Sequence, residues 1–205
     1  MGVPGLRRAV LGKAMPLLRA EGSQGLVTRS EAYAAIREMR RARGGRMADV
    51  TTVEKVALVA KDRHGLRPIA LTNGVFGGRG LTPGQAWSLA HAHAKGCCPI
   101  VLLASDRVAA ELKTYPVAPF ESRMIAVAAA MSDGFVCEWD ELRVTEAIRL
   151  LRPACWVKGG GDWTLETLDA GEREAAEEVG AEIVLLPELA LPHVSELRGE
   201  SEPCL

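Results

Sequence analysis

Residues 67–105 read RPIALTNGVFGGRGLTPGQAWSLAHAHAKGCCPIVLLAS, and the fold follows from this stretch. RPIALTN (67–73), bounded by Gly65 and Gly74, is short and has an apolar centre without alternation, as a strand buried on both faces does. A helix-length segment (83–95) separates it from a second such run, PIVLLAS (99–105). Strand, helix, strand in this form is the crossover unit of a parallel sheet.

The same reading extends outward. Toward the C-terminus, Pro119 stands at the first position of a helix that carries Phe120, Met124, Val127 and Met131 on one face. GFVCEW (134–139), ACWVK (154–158) and EIVLLP (182–187) are three more buried strands, with helices over about 141–151 and 164–179 between them. Toward the N-terminus, Thr51 or Thr52 opens a helix that runs to about Lys61. The spacing predicts a Rossmann-like, doubly wound α/β domain of about five parallel strands over residues 51–195, followed by a frayed tail (196–205). Before it, residues 1–50 form a helical extension, with helices over 5–20 and 29–43. The second is capped by Ser30 and carries the stripe Tyr33, Ile36, Met39.

Composition narrows the function classes. A chain of 205 residues with 48% apolar and 25% charged residues can build one core and is not disordered. Aromatics are only 4%, so Ala, Val, Leu and Ile must fill that core. No apolar run approaches the roughly 20 residues of a membrane span, and the N-terminal residues lack a secretory pattern. The irregularly spaced Cys97, Cys98, Cys137, Cys155 and Cys204 read as reduced thiols of a cytoplasmic protein. Charge is uneven: residues 1–50 hold ten Lys and Arg against four Asp and Glu, and the remainder fifteen against twenty-two. Only Tyr33 interleaves with the arginines of the extension, so nucleic acid is not the expected partner.

In an open parallel sheet the ligand lies at the carboxyl ends of the strands, where strand order reverses. The first strand of the crossover unit ends Thr72-Asn73-Gly74 and is followed by VFGGRG; the second ends Ser105-Asp106. ACWVK ends at Lys158, followed by Gly159, Gly160 and Gly161, then Asp162 and Trp163. Glycines admit backbone N–H groups close to a phosphate, and a lysine beside them supplies a cation. Asp162 either lines this site or caps the next helix, and Trp163 reads as a core residue rather than a base platform. Arg123 falls off the apolar stripe of its helix, where it reaches a phosphate or pairs with Glu121 or another carboxylate. Glu172, Glu174, Glu177 and Glu178 read as a solvated face. No metal site is expected in HAHAKGCC (91–98), because His91 and His93 lie about 200° apart around a helix.

The order of these motifs resembles the adenylyltransferase domain of bacterial ADP-heptose synthase and, more widely, the cytidylyltransferase-like superfamily. The resemblance covers residues 50–190. It rests on TNGVF (72–76), ASD (104–106), PVAPFESR (116–123, against PVNPLEDR) and LRPACWVKGGGDW (151–163, against IRPD-apolar-VKGGDW). It implies a nucleotide site of Thr72, Asn73, Gly74, Phe76, Asp106, Lys158, Gly159, Gly160, Asp162 and Trp163. It also implies ATP or CTP with Mg²⁺, and transfer of the nucleoside monophosphate to a sugar phosphate with release of pyrophosphate.

The departures bear on catalysis. Where the family has HxGH, this chain has Thr82-Pro83-Gly84-Gln85, which keeps the glycine and lacks both histidines. Thr82 and Gln85 with Pro83 also spell a helix capping box, so the segment is either a cap or a substitute site, with Arg79 as a replacement cation. The family's Arg before PVNP is Tyr115, its late Ser-Thr-Thr has no counterpart near LPHVSEL (191–197), and its KGGD loop has gained a glycine. Catalytic residues are therefore left open among Thr82, Gly84, Gln85, Lys158 and Arg123. The alternative is a catalytically dead fold used as a structural or partner-binding component. The family's domain is complete without residues 1–46, so the extension is expected to be an arm for a protein partner or a second copy, with an accessible stripe. The opposite outcome is a clamp on its own acidic body.

Overall fold

The computed structural model describes residues 27–62, 67–78, 80–94, 97–159 and 163–187. Six strands form one sheet: β1 (Asp49–Thr51), β2 (Ile69–Gly74), β3 (Cys98–Ala104), β4 (Phe135–Trp139), β5 (Cys155–Lys158) and β6 (Glu182–Leu185). All neighbours are parallel, in the order β1-β4-β3-β2-β5-β6. The helices are α1 (Arg29–Ala42), α2 (Val53–Asp62), α3 (Pro83–Ala94), α4 (Asp106–Leu112), α5 (Phe120–Ala130), α6 (Thr145–Leu151) and α7 (Ala170–Val179). From β2 the chain steps outward to β3 and β4, then returns across β2 to β5 and β6. Strand order reverses between β2 and β5.

The Rossmann-like α/β reading holds, and its burial pattern explains why. Along β3, Ile100 and Leu102 face one core with Val56 of α2, Ile148 of α6 and Ala175 of α7. Val101 and Leu103 face the other with Leu89 of α3 and Met124 of α5. Two covered faces require strands without polar alternation, and every residue of β3 is buried. The strand that the sequence reading lacks, β1, has only three residues and pairs at the sheet edge with β4. The sequence reading also lacks α4, a seven-residue helix that Ser105 caps directly after β3.

Several boundaries move. The N-cap of α1 is Thr28, not Ser30: its hydroxyl accepts from Glu31 N–H, and Glu31 accepts in return from Thr28 N–H. Pro119 is the N-cap of α5 rather than its first helical residue. α7 begins at Ala170, capped by Asp169, six residues later than the spacing suggested.

The second half of the extension is part of the domain. Ala32 and Ile36 of α1 are buried in the same core as Phe120, Met124, Val127 and Ala128 of α5, with Tyr33 and Met39 partly buried against it. Arg29 seals the contact, donating to both oxygens of Glu138 at 2.8 and 2.9 Å and to Glu121 at 3.3 Å. Arg40 pairs with Asp49 at 2.8 Å. The expectation of an accessible stripe is thereby corrected: an apolar stripe beside an uncovered face of α5 buries itself there, and basic residues find the acidic body. The helix expected over 5–20 lies outside the described residues.

Among the described residues no helix is long and apolar enough to cross a membrane. Cys97, Cys98, Cys137 and Cys155 are buried thiols. Burial pushes the Cys137 thiol up to about 12.

Candidate functional site at the carboxyl edge of the sheet

The strand reversal brings Asn73 of β2 beside Lys158 at the end of β5, through the pairing of Thr72 with Val157. Lys158 is only 8% exposed. Its Nζ lies 3.5 Å from Asn73 Oδ1, 3.9 Å from Glu172 Oε2, and 4.9 and 4.6 Å from the ring centres of Trp156 and Trp163. Trp156 Nε1 donates to the same Asn73 oxygen at 3.0 Å, which turns that oxygen toward the lysine. Burial pulls the Lys158 amine below its ordinary value. Glu172 and Asp169 act against that pull, and Arg143 adds to it.

Two readings change here. Trp163 is not a core residue: it is 39% exposed and forms the outer wall over Lys158. Glu172 is not solvated: it is 5% exposed, and its Oε1 accepts from Val144 N–H at 2.9 Å. The burial of Glu172 follows from α7 starting late, which sets residue 172 in its first turn. The signal that marks Glu172 is the pattern Asp169-x-x-Glu172, a helix start. The other three glutamates of the group, Glu174, Glu177 and Glu178, are exposed.

The loop after β2 is tied down. Gln85 Oε1 accepts from Gly77 N–H at 3.1 Å and Thr82 N–H at 3.2 Å, while Thr82 Oγ1 accepts from Gln85 N–H at 3.3 Å. Of the two alternatives for this segment, the capping box is the geometry that forms. Gly77 takes a positive φ of 72°, which a side chain would strain. Phe76 is buried in the core shared with α5, and Thr72 is buried within β2. Gly84 gives its carbonyl to Ser88 Oγ at 3.0 Å. Gly159 lies flush on α3, where an added Cβ would come within 2.3 Å of that Ser88 oxygen.

On the other side of β2, Arg123 is fully buried. It donates from Nε to Ala118 O at 2.8 Å, from Nη1 to Ala104 O at 2.8 Å, and from Nη2 to Asp106 Oδ1 at 2.7 Å. Its carboxylate partner is Asp106, not Glu121, which binds Arg29 instead. The structure therefore brings Asn73, Gly74, Lys158, Gly159 and Trp163 together at the reversal, and sets Arg123 and Asp106 apart as a pair of their own. Arg79, Gly160 and Asp162 lie outside the described residues. Beside that pair is a groove of about 770 Å³, between Thr28 and Arg29 on one wall and Lys113, Tyr115 and Val117 on the other. Among the described residues no cluster of three or more His, Cys, Asp or Glu side chains is placed to hold a metal.

Fold and edge together define a Rossmann-like α/β domain with a polar, partly buried cluster at its switch point. The chain is 34% identical over 139 residues to the bifunctional protein HldE of Citrobacter koseri, a match that covers 67% of this chain and 28% of that protein. The chain thus spans little more than a quarter of the relative's length, and the match supports a relationship to the nucleotidyltransferase-like family its motifs resemble. No family model matches the chain.

Proposed function

We propose that the domain binds a nucleoside triphosphate across the β2–β5 switch point, with the phosphate chain on Lys158 and with Asn73, Gly74 and Gly159 lining the site. The observation that carries this reading is Lys158 itself, a buried ammonium whose hydrogen-bonding oxygen among the described residues, Asn73 Oδ1, is 3.5 Å away. Its three N–H donors have no short partner among the described residues. Mg²⁺ enters with ATP or CTP as part of the substrate and neutralises phosphate charge. Trp163, exposed and with its ring centre 4.6 Å from the lysine Nζ, would cover the ligand.

Transfer chemistry is proposed to be absent or very low. Displacement at the α-phosphorus by a sugar phosphate needs donors preorganised toward developing charge, and losing one such donor typically costs about 10²–10³ in rate. Thr82 and Gln85 are committed to the cap of α3, so they do not replace two imidazoles. That commitment also favours the second reading, a fold retained as a cytoplasmic structural or partner-binding component. A partner or second copy would then meet residues 1–26 and the exposed Arg37 and Arg41.

Calorimetric titration with MgATP and MgCTP tests the site: binding is expected, and Lys158→Ala should weaken it at least tenfold. No heat up to millimolar nucleotide sinks the reading. Pyrophosphate release across heptose 1-phosphate, glycerol 3-phosphate and related acceptors tests the chemistry. Turnover near about 10 s⁻¹ would show a working transferase.

A further inference from the structure

In the Lys158–Glu172 pair both side chains are buried, 9% and 6% exposed. A carboxylate this deep needs hydrogen bonds and an opposite charge to remain ionised. Glu172 divides these between its oxygens: Oε1 takes the Val144 N–H at 2.9 Å, and Oε2 faces Lys158 Nζ at 3.9 Å. That second distance is too long for a hydrogen bond and short enough for strong attraction. Glu172 therefore favours the charged amine without consuming one of its donors.

The remaining neighbours sharpen the assignment. Asn73 comes from β2, Trp156 from β5 and Trp163 from the segment after it, all uncharged. Among the described residues Arg143, ahead of α6, and Asp169, ahead of α7, are the other charges that act on the lysine. They pair with each other at 2.6 Å and largely cancel. Among the described residues Glu172 is left as the unmatched anion facing the amine.

We propose that Glu172 is a positioning residue for Lys158: from the first turn of α7 it holds the ammonium at the β2–β5 switch point, charged and with donors to spare, for the phosphate of an incoming nucleotide. This rests on the nucleotide site proposed above. It also gives Glu172 a second structural task, since the same carboxylate satisfies the backbone at the start of α6.

Glu172→Gln separates the two tasks, because the amide oxygen still accepts from Val144 while the charge is lost. In the full-length chain, the Lys158 amine is titrated by competitive acylation with acetic anhydride from about pH 7 to about pH 11 and read by mass spectrometry. Its midpoint should fall by roughly 1–3 pH units in Glu172→Gln. Binding of MgATP and MgCTP should be nearly unchanged in mildly acidic buffer, where the amine stays charged, and should fail at lower pH than in the wild type. Adding Lys158→Arg, always charged, should flatten that profile. A structural role alone would lower the melting temperature and leave the Lys158 midpoint in place, which overturns the proposal. Arg143→Gln, an exposed position, gives the opposite sign: the midpoint should rise, and a midpoint unmoved in both variants also overturns it. If the midpoints move as stated but neither nucleotide nor tripolyphosphate binds the wild type, the pairing stands and the nucleotide reading falls.

Discussion

Arg123 and Lys158 are both buried cations at the carboxyl edge of one sheet, on either side of β2, yet their surroundings differ. Arg123 makes three hydrogen bonds of 2.7–2.8 Å and lies over Phe120, with its centre 5.6 Å from the ring. Its planar fork ties the end of β3 to the segment before α5, which is what a guanidinium does well. Lys158 has no oxygen closer than 3.5 Å among the described residues and sits between two indole rings. Burial alone therefore does not mark a functional cation. Spare donor capacity does, and it separates a strut from a candidate ligand-binding group.

Breaking the strut should have the largest effect. Arg123→Met leaves the Ala104 and Ala118 carbonyls without their donor and Asp106 without its cation, and should cost about 3–5 kcal/mol in urea denaturation. A loss under about 1 kcal/mol would erase the contrast between the two sites. Next comes the helix behind the strut. Ile36 of α1 is 1% exposed, so Ile36→Ala should lose about 2–4 kcal/mol while nucleotide binding at the distant switch point stays intact. An effect within error would mean that α1 is a detachable arm after all.

The switch point itself should respond more mildly. Gly159→Ala drives a methyl onto Ser88 Oγ and should cost about 1–3 kcal/mol, with Ser88→Ala in the same chain recovering most of it. No recovery would place the loop elsewhere. The smallest effect is expected from Lys158→Met combined with Glu172→Gln, which removes both buried charges. Stability should stay within about 1 kcal/mol of wild type while nucleotide heat disappears. Lys158→Met alone should be the less stable of the two, because it strands the Glu172 carboxylate. The reverse order would show that Glu172 does not depend on the lysine.

Much of the fold was legible because its signals are local. Apolar runs without alternation, separated by helix-length segments, are readable wherever they exceed four or five residues. β1 was not readable because three residues carry too little periodicity, and α4 follows directly on β3 with only Ser105 between them to mark its start. Asn73 and Lys158 stood out as strand-end residues beside glycines, and the Thr82–Gln85 cap was available as one of two readings. Glu172 and Trp163 were not legible: α7 starts only at Ala170, which buries Glu172 in its first turn, and how far Trp163 is covered depends on packing that spacing does not carry.

The order of residues by itself determined a parallel α/β domain, its glycine-flanked strand ends and a motif sequence like that of a nucleotidyltransferase. Only the tertiary structure decided what each charge does. Arg123 and Asp106 are 17 residues apart, and Lys158 and Asn73 are 85. Whether such pairs meet depends on where crossovers return the chain and how deeply each side chain is set. Desolvation and partner distance, which decide between a strut and a ligand-ready amine, exist only once the sheet has closed around them.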